Sequence, residues 1–445
     1  MGAVRNQSAL RQLRQSNVAR VLGLLRAQGP QSRAEVAALT GLSRTTLSGI
    51  VGRLLADGVL VEEAEARPAA GGGRGRPVQR LALNPRSAQA IGVEIGRERI
   101  KVVIADAAHE IKSVGGTTSS LRADARTRAQ AAVAAVREAA ERDGIDLRAV
   151  TGLGVGTPGP GETAEHTADR GAATGRAAPR TRQSVADELS RQLDVPVLAD
   201  NNSRLAALGE AVWGAARGAS DVLYVALSYG VGGGLVVGGR LFRGAFGAAG
   251  EIGHISVDPL GPACWCGGRG CMERYASVPA LLRAGRRRSW RRLCDAVESG
   301  EARARAAVDG AAASVGRALA AACTTVNPER IVLGGEVAAL GPVFVDRVQA
   351  EFQTYSTSVV HRGIRLTPAS LDDRSGALGG LALVLQESPL LAGYTEPVAA
   401  GVEGERAVSN AASNAASGAA DASGAAEPSG TGLSGAGVFV PRQGH

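Results

Sequence analysis

The spacing of apolar residues changes at Asn84-Pro85, and no single fold class accommodates both sides of that break. Before it, apolar residues recur at helical spacing in three short segments. The first carries Val18, Val21, Leu22, Leu24 and Leu25 between Asn17 and Gln28 and is ended by Gly29-Pro30. In the second, Ser32 and Glu35 stand in capping-box register ahead of Val36, Ala37 and Leu39, and Thr40-Gly41 forms the following turn. Ser43 caps the third, which sets Leu47, Ile50, Val51, Leu54 and Leu55 on one face and stops at Asp57-Gly58. A glycine-containing turn between the last two predicts a helix-turn-helix. Strand-like Val59 to Val61 and Val78 to Leu83 flank a basic, glycine-rich loop from Gly71 to Pro77, which predicts a wing.

After the break, short apolar strands end on glycines and alternate with helical stretches: Ile91 to Gly96, Arg99 to Asp106, Gly152 to Pro160, Val222 to Leu227, Gly232 to Val237 and Ile331 to Gly335. That alternation predicts an α/β domain. The expected organisation is an arm over residues 1–16, a winged helix-turn-helix over 17–84, an α/β domain over 88–388 and a low-complexity tail over 390–445. The tail is Ala, Ser, Gly and Asn and has too little apolar surface to offset the entropy of ordering, so it is expected to be disordered. With 3% aromatic residues, the cores must be built from small aliphatic contacts.

Charge separates the two modules further. Residues 1–90 contain 13 Arg, no Lys and 5 acids, whereas the other 37 basic and 37 acidic residues cancel. All of the +8 excess therefore sits on the segment with the helix-turn-helix, which points to a polyanion partner, most simply DNA; the bland alternative is a solvated charged face. A recognition helix needs short polar and basic side chains at its N-terminal turns, and Ser43, Arg44, Thr45, Thr46 and Ser48 supply them. Arg44 suits a guanine edge, Arg53 suits a phosphate, and Arg74 and Arg76 at the wing tip suit a narrow minor groove. No stretch approaches a membrane span of roughly 18 to 20 apolar residues, and Met1 to Leu10 lacks the apolar run of a signal peptide, so a cytoplasmic protein is expected.

Cys264, Cys266 and Cys271, with His254 ten residues before the first of them, offer three thiolates and one imidazole, a complete tetrahedral set for Zn(II). Four protein ligands leave no open position, so the predicted metal is structural. Cys294 and Cys323 are expected to be plain buried thiols.

The segment Gly247 to His254, read with Cys264 to Glu273, resembles the ROK family (repressor, open reading frame, kinase) of bacterial sugar kinases and sugar-responsive repressors. The resemblance implies a two-lobed, actin-like ATPase fold with a sugar cleft, assembled as a homodimer or homotetramer. It also implies sugar contacts from Asn201, Asn202, Glu251, His254 and Glu273, the histidine serving both metal and sugar.

Three departures bear on chemistry. Family kinases use the aspartate of an Asn-Asp pair as base, and here the pair is Asn201-Asn202, with Asp200 a conceivable but offset substitute. The first phosphate loop, Asp-x-Gly-Gly-Thr in the kinases, reads Glu94-Ile95-Gly96-Arg97-Glu98, and the second places Tyr229 where threonine is usual. The Asn-Leu-x-Gly-Trp stretch that borders the sugar is replaced by Asp169 to Arg176, whose Arg170 and Arg176 would suit a phosphorylated sugar. The expectation is therefore a DNA-binding regulator, most simply a repressor, that answers a sugar or sugar phosphate and performs no catalysis. Its rivals are a constitutive DNA-binding protein without a sugar ligand and an ATP-dependent sugar kinase.

Overall fold

The structure is a computed structural model, and it describes residues 17–18, 20–25, 28–56, 58–64, 79–84, 89–106, 110–120, 123–159 and 181–387. The predicted arm, the wing tip with Arg74 and Arg76, the segment with Arg170 and Arg176, and the tail lie outside the described residues.

The predicted helix-turn-helix is present. Helix α1 (Arg33–Thr40) begins with the full capping box: Ser32 Oγ accepts from the Glu35 amide at 3.3 Å, and Glu35 carboxylate accepts from the Ser32 amide at 2.7 Å. It ends at Gly41, whose φ of 65° is the left-handed conformation that stops a helix without a Cβ penalty. Helix α2 (Arg44–Ala56) buries Leu47, Ile50, Val51 and Leu54, four of its five expected core positions, and leaves Leu55 half-buried. Leu39 differs from expectation. It is 56% exposed, because Val36 and Thr40, four residues apart, take the inward face of α1 and Leu39 falls beside it. Helical residues at 17, 18, 20–25 and 28 precede α1, and Arg20 donates to the Thr40 carbonyl.

The wing strands are β2 (Leu60–Ala64) and β3 (Gln79–Leu83), paired antiparallel. A two-residue strand β1 (Gln31–Ser32) pairs with β3 and completes a three-stranded sheet, order β1-β3-β2. Sequence spacing does not predict β1, since two residues carry no period and the pairing is made by a partner about 50 residues away. Asn84, the expected boundary, is tied down: its side chain donates to the Gly58 carbonyl at 2.8 Å and its amide to the Val59 carbonyl at 2.9 Å.

Two five-stranded sheets of matching topology follow. The first, order β6-β5-β4-β7-β8, is made of β4 (Gln89–Ile95), β5 (Arg99–Ala105), β6 (Ile111–Thr118), β7 (Val150–Thr157) and β8 (Val197–Asn201). The second, order β11-β10-β9-β12-β13, is made of β9 (Val222–Leu227), β10 (Val231–Val237), β11 (Arg240–Phe242), β12 (Arg330–Gly334) and β13 (Arg365–Pro368). In each, an antiparallel meander meets a parallel pair through its first strand. This is the actin-like two-lobe arrangement, and it leaves the β4–β5 and β9–β10 hairpin turns at corresponding places in the two lobes.

Helices α3 (Ala125–Arg142) and α4 (Thr181–Leu193) cover the first sheet, and α6 (Ala302–Val326) and α7 (Pro342–Tyr355) pack on the second. Helix α5 (Asn202–Val212) and helix α8 (Ser375–Glu387) cross where the lobes join. Their contact requires glycine: a Cβ on Gly379 would overlap the Leu205 carbonyl, and one on Gly154 of β7 would overlap the Gly380 carbonyl of α8. The backbones touch directly, which fits a core of small residues. No helix among the described residues is long and apolar enough to cross a membrane.

Candidate DNA-reading helix, effector cleft and metal loop

On α2, Arg44, Thr45, Thr46 and Ser48 are exposed on the side away from the buried stripe, as a groove-reading face requires. Ser43 serves the helix itself. Its Oγ accepts from the Thr46 amide at 3.2 Å and lies 2.8 Å from Thr46 Oγ1, so it positions the N-terminal turn rather than projecting from it. Arg53 folds back to the Gly49 carbonyl at 3.3 Å and is exposed one turn before the C-terminus of α2.

The four predicted metal ligands converge. His254, Cys264, Cys266 and Cys271 present ligand atoms that all lie within 4.8 Å of one another. Cys264 Sγ is 3.8 Å from His254 Nδ1, and Cys266 Sγ is 3.6 Å from Cys271 Sγ. Tetrahedral zinc with sulfur at about 2.3 Å and nitrogen at about 2.0 Å needs ligand atoms about 3.5 to 3.8 Å apart; the His254–Cys264 and Cys266–Cys271 pairs have that spacing, and the whole set, spread over 4.8 Å, could close on a metal ion. The loop is closed by isolated bridges Ser256–Cys271 and Ala263–Arg269 and by Cys264 amide donating to the Gly268 carbonyl at 2.8 Å. Burial and the two neighbouring thiols push Cys271 up to about 12. Burial opposes ionisation of Cys266 as well, but the Gly268 amide and the adjacent thiols carry it below the usual thiol value. The opposite shifts of Cys266 and Cys271 come from thiols packed side by side, an arrangement that a cation between them would relieve.

Three of the five predicted sugar contacts gather beside this loop. Glu251 is half-buried and opens the turn Ile252–His254. Glu273 Oε2 accepts from the Val231 amide at 2.9 Å, and its Oε1 accepts from the indole of Trp265. Trp265, between the two nearest cysteines, is 55% exposed and meets His254 edge-on with ring centroids 4.8 Å apart. Residue-type reasoning passed over Trp265. The signal was an aromatic inside the Cys-x-Cys step of a chain with three tryptophans in all.

Asn201 and Asn202 stand at the junction of β8 and α5. Asn201 Oδ1 accepts from the Ser203 amide at 2.8 Å as the cap of α5, and its amide nitrogen donates to the Gly159 carbonyl. Asn202 donates to the Ile95 carbonyl at 3.1 Å, while its buried Oδ1 has no hydrogen-bond partner among the described residues. Asp200 is consumed. It is 2% exposed, with Arg204 and Arg243 each 2.6 Å from one of its oxygens. Burial works to raise it, but Arg204, Arg243 and the Asn201 amide hold it below the usual carboxylate value. A carboxylate so committed is a poor proton acceptor. The i,i+4 spacing of Asp200 and Arg204 was legible in the sequence; the reach of Arg243 from the second lobe was not.

The ROK family model matches residues 90–387. The xylose repressor of Caldicellulosiruptor bescii is 26% identical over 377 residues, covering 80% of this chain and 92% of the repressor. That share exceeds residues 90–387, so the match extends beyond the family domain. A glucokinase of Halalkalibacterium halodurans is 34% identical over 221 residues, covering 45% of this chain and 67% of the kinase. Among solved structures, a ROK family transcriptional regulator homologous to the E. coli MLC protein covers 86% of this chain and 97% of its own, with a TM-score of 0.69 and 22% identity. A family domain matched across both lobes, joined to a winged helix-turn-helix and followed along most of its length by repressors, establishes that this chain belongs to the ROK family.

Proposed function

We propose that the protein is a DNA-binding transcriptional regulator of carbohydrate-related genes, a repressor, whose ROK domain senses a sugar or sugar phosphate and has no kinase activity. The observation that carries the reading is the exposed face of α2, with Arg44, Thr45, Thr46 and Ser48 held outward by the Ser43 cap on a winged module joined to a sensor. Arg44 reads a base edge, and Arg53, Arg74 and Arg76 contact phosphate or the minor groove. A homodimer or homotetramer places two such helices on the half-sites of an operator, because one winged helix contacts too few base pairs for specificity.

Loss of catalysis is supported by three positions. Asn202 is an amide that donates to the Ile95 carbonyl, Asp200 is bound by two guanidiniums, and Arg97 stands where a phosphate needs bare glycine backbone. Glu251, His254 and Glu273 with Asn201 and Asn202 form the effector-binding set, since carboxylates and amides hold adjacent hydroxyls. His254, Cys264, Cys266 and Cys271 would hold Zn(II), and with four protein ligands the ion would serve the fold of the loop and not a reaction. The protein chain does the rest: Trp265 orients Glu273, and His254 joins the metal loop to the cleft. An effector preferring one lobe spacing shifts the DNA-competent population.

Genome-wide mapping of bound sites, followed by operator titrations with a sugar panel, tests the regulatory reading. Sites clustered at carbohydrate operons with sugar-dependent affinity are expected, and an absence of sequence-specific binding would overturn it. Turnover of ATP with any hexose would overturn the non-catalytic part.

A further inference from the structure

Arg97 sits in the β4–β5 turn of the first lobe and Tyr229 in the β9–β10 turn of the second, and their side chains meet. The Arg97 guanidinium carbon lies 4.1 Å from the centroid of the Tyr229 ring, within cation–π range. We propose that this pair is a clasp across the interlobe cleft that takes the place of a nucleotide's phosphates and sets the lobe spacing. The position at a former nucleotide site rests on the proposed loss of kinase chemistry; the contact itself does not.

Two sequence departures coincide here. One replaces a glycine by arginine and the other a threonine by tyrosine, about 130 residues apart, and neither substitution alone makes the contact. Arg97 has no ion pair or hydrogen bond among the described residues, so its charge is available to the ring.

Both turns are braced from behind. The Gly96 amide closes the first by donating to the Arg99 carbonyl at 2.8 Å, and Arg128 donates to the Gly96 carbonyl. In the second, the Ser228 amide donates to the Gly230 carbonyl at 3.0 Å, and the Val231 amide is held by Glu273. Glu273 in turn accepts from Trp265, whose ring meets His254. The clasp is therefore continuous with the residues that the effector is proposed to touch. A second tie, Arg243 to Asp200, bridges the lobes in the opposite sense, from the second to the first. An effector that changes lobe spacing must change the Arg97–Tyr229 distance, because each turn is fixed to its own lobe.

Hydrogen exchange of the full chain, read by mass spectrometry, tests the clasp without DNA, nucleotide or sugar, so its failure is separable from failure of the regulatory reading. Both side chains are exposed turn residues, so Arg97→Ala and Tyr229→Ala are expected to fold with unchanged melting behaviour elsewhere. Each is expected to speed exchange about 2- to 5-fold in both turns, including the unaltered one, the amount an exposed cation–π pair protects. The double variant should add nothing, and Tyr229→Phe, which keeps the ring face, should resemble the parent protein. Faster exchange confined to the substituted turn, or additive effects in the double variant, would overturn the proposal. If an alanine variant fails to fold, Tyr229→Leu, which keeps bulk without the ring quadrupole, gives the same two outcomes.

Discussion

At the scale of single residues, Asn202 and Glu94 show what a substitution means once its surroundings are known. That Asn202 cannot act as a base follows from its amide alone. Its donation to the Ile95 carbonyl, 107 positions away, depends on the lobe closing around β4 and leaves no trace in local sequence. Asn202→Asp would aim a carboxylate at that carbonyl with the donor gone, at an expected cost of about 1 to 3 kcal/mol in thermal or denaturant unfolding. ATP turnover should stay absent, since Arg97 and Tyr229 remain; kinase activity on restoring the aspartate would refute that. Glu94 is the other case. Burial raises its carboxyl to about 7, with Asp373 adding to the rise and Lys101 opposing it. A carboxyl raised in the folded state contributes stability in full below the unfolded value near 4.5, and that contribution is lost as pH climbs toward 7. Glu94→Gln should remove on the order of 3 kcal/mol of this pH dependence between pH 4.5 and 7.5, read as flatter unfolding free energy against pH. An unchanged slope would show that Glu94 ionises normally.

At the scale of elements, local signals were readable where physics is local. The Ser32–Glu35 box, the Gly41 stop and the inward stripe of α2 are all short-range, and the structure carries each of them. Elements made by distant partners were not readable: β1 exists because β3 pairs with it, and the exposure of Leu39 depends on which face of α1 is covered. The reading helix yields a direct prediction. Arg44→Ala should cost about 1 to 3 kcal/mol of specific binding and relax preference at one operator position, whereas Arg53→Ala should weaken all sequences alike and reduce the salt slope. Equal losses on operator and random DNA for Arg44→Ala would remove it from base reading. In the Cys264–Cys271 loop, the spacing of the three cysteines and His254 pointed to residues that converge, but the link through Trp265 to Glu273 required the folded loop. Chelation should free that indole and shift its emission, in step with release of one zinc per chain measured by metal analysis. Emission unchanged while zinc is released would separate the metal from the cleft.

At the scale of the whole molecule, the sequence marks a module boundary at Asn84-Pro85 while the packing runs across it. One apolar cluster extends from Val21, Leu22, Val36, Leu47 and Ile50 through Val59, Leu60 and Leu81 to Ala90, Val103, Ala377 and Leu381. It joins the reading module to β4, β5 and α8, and α8 is the helix that crosses α5 between the lobes. Periodicity shows which face of an element is apolar but not what covers it, so a shared core looks like two separate ones until the elements are placed. The consequence is mechanical: a change in lobe spacing that moves α8 acts on a core the DNA-reading helices also use. Leu81 tests this, being 1% exposed in β3 within that cluster. Leu81→Ala should cost about 2 to 5 kcal/mol through lost burial and a residual cavity. If the core is shared, the loss should lower a single calorimetric transition and weaken amide protection both in α2 and in α8, although α8 contains no altered residue. Two separate transitions, with the reading module melting early while α8 keeps its protection, would show that the modules are independent and that lobe movement reaches DNA by some other route.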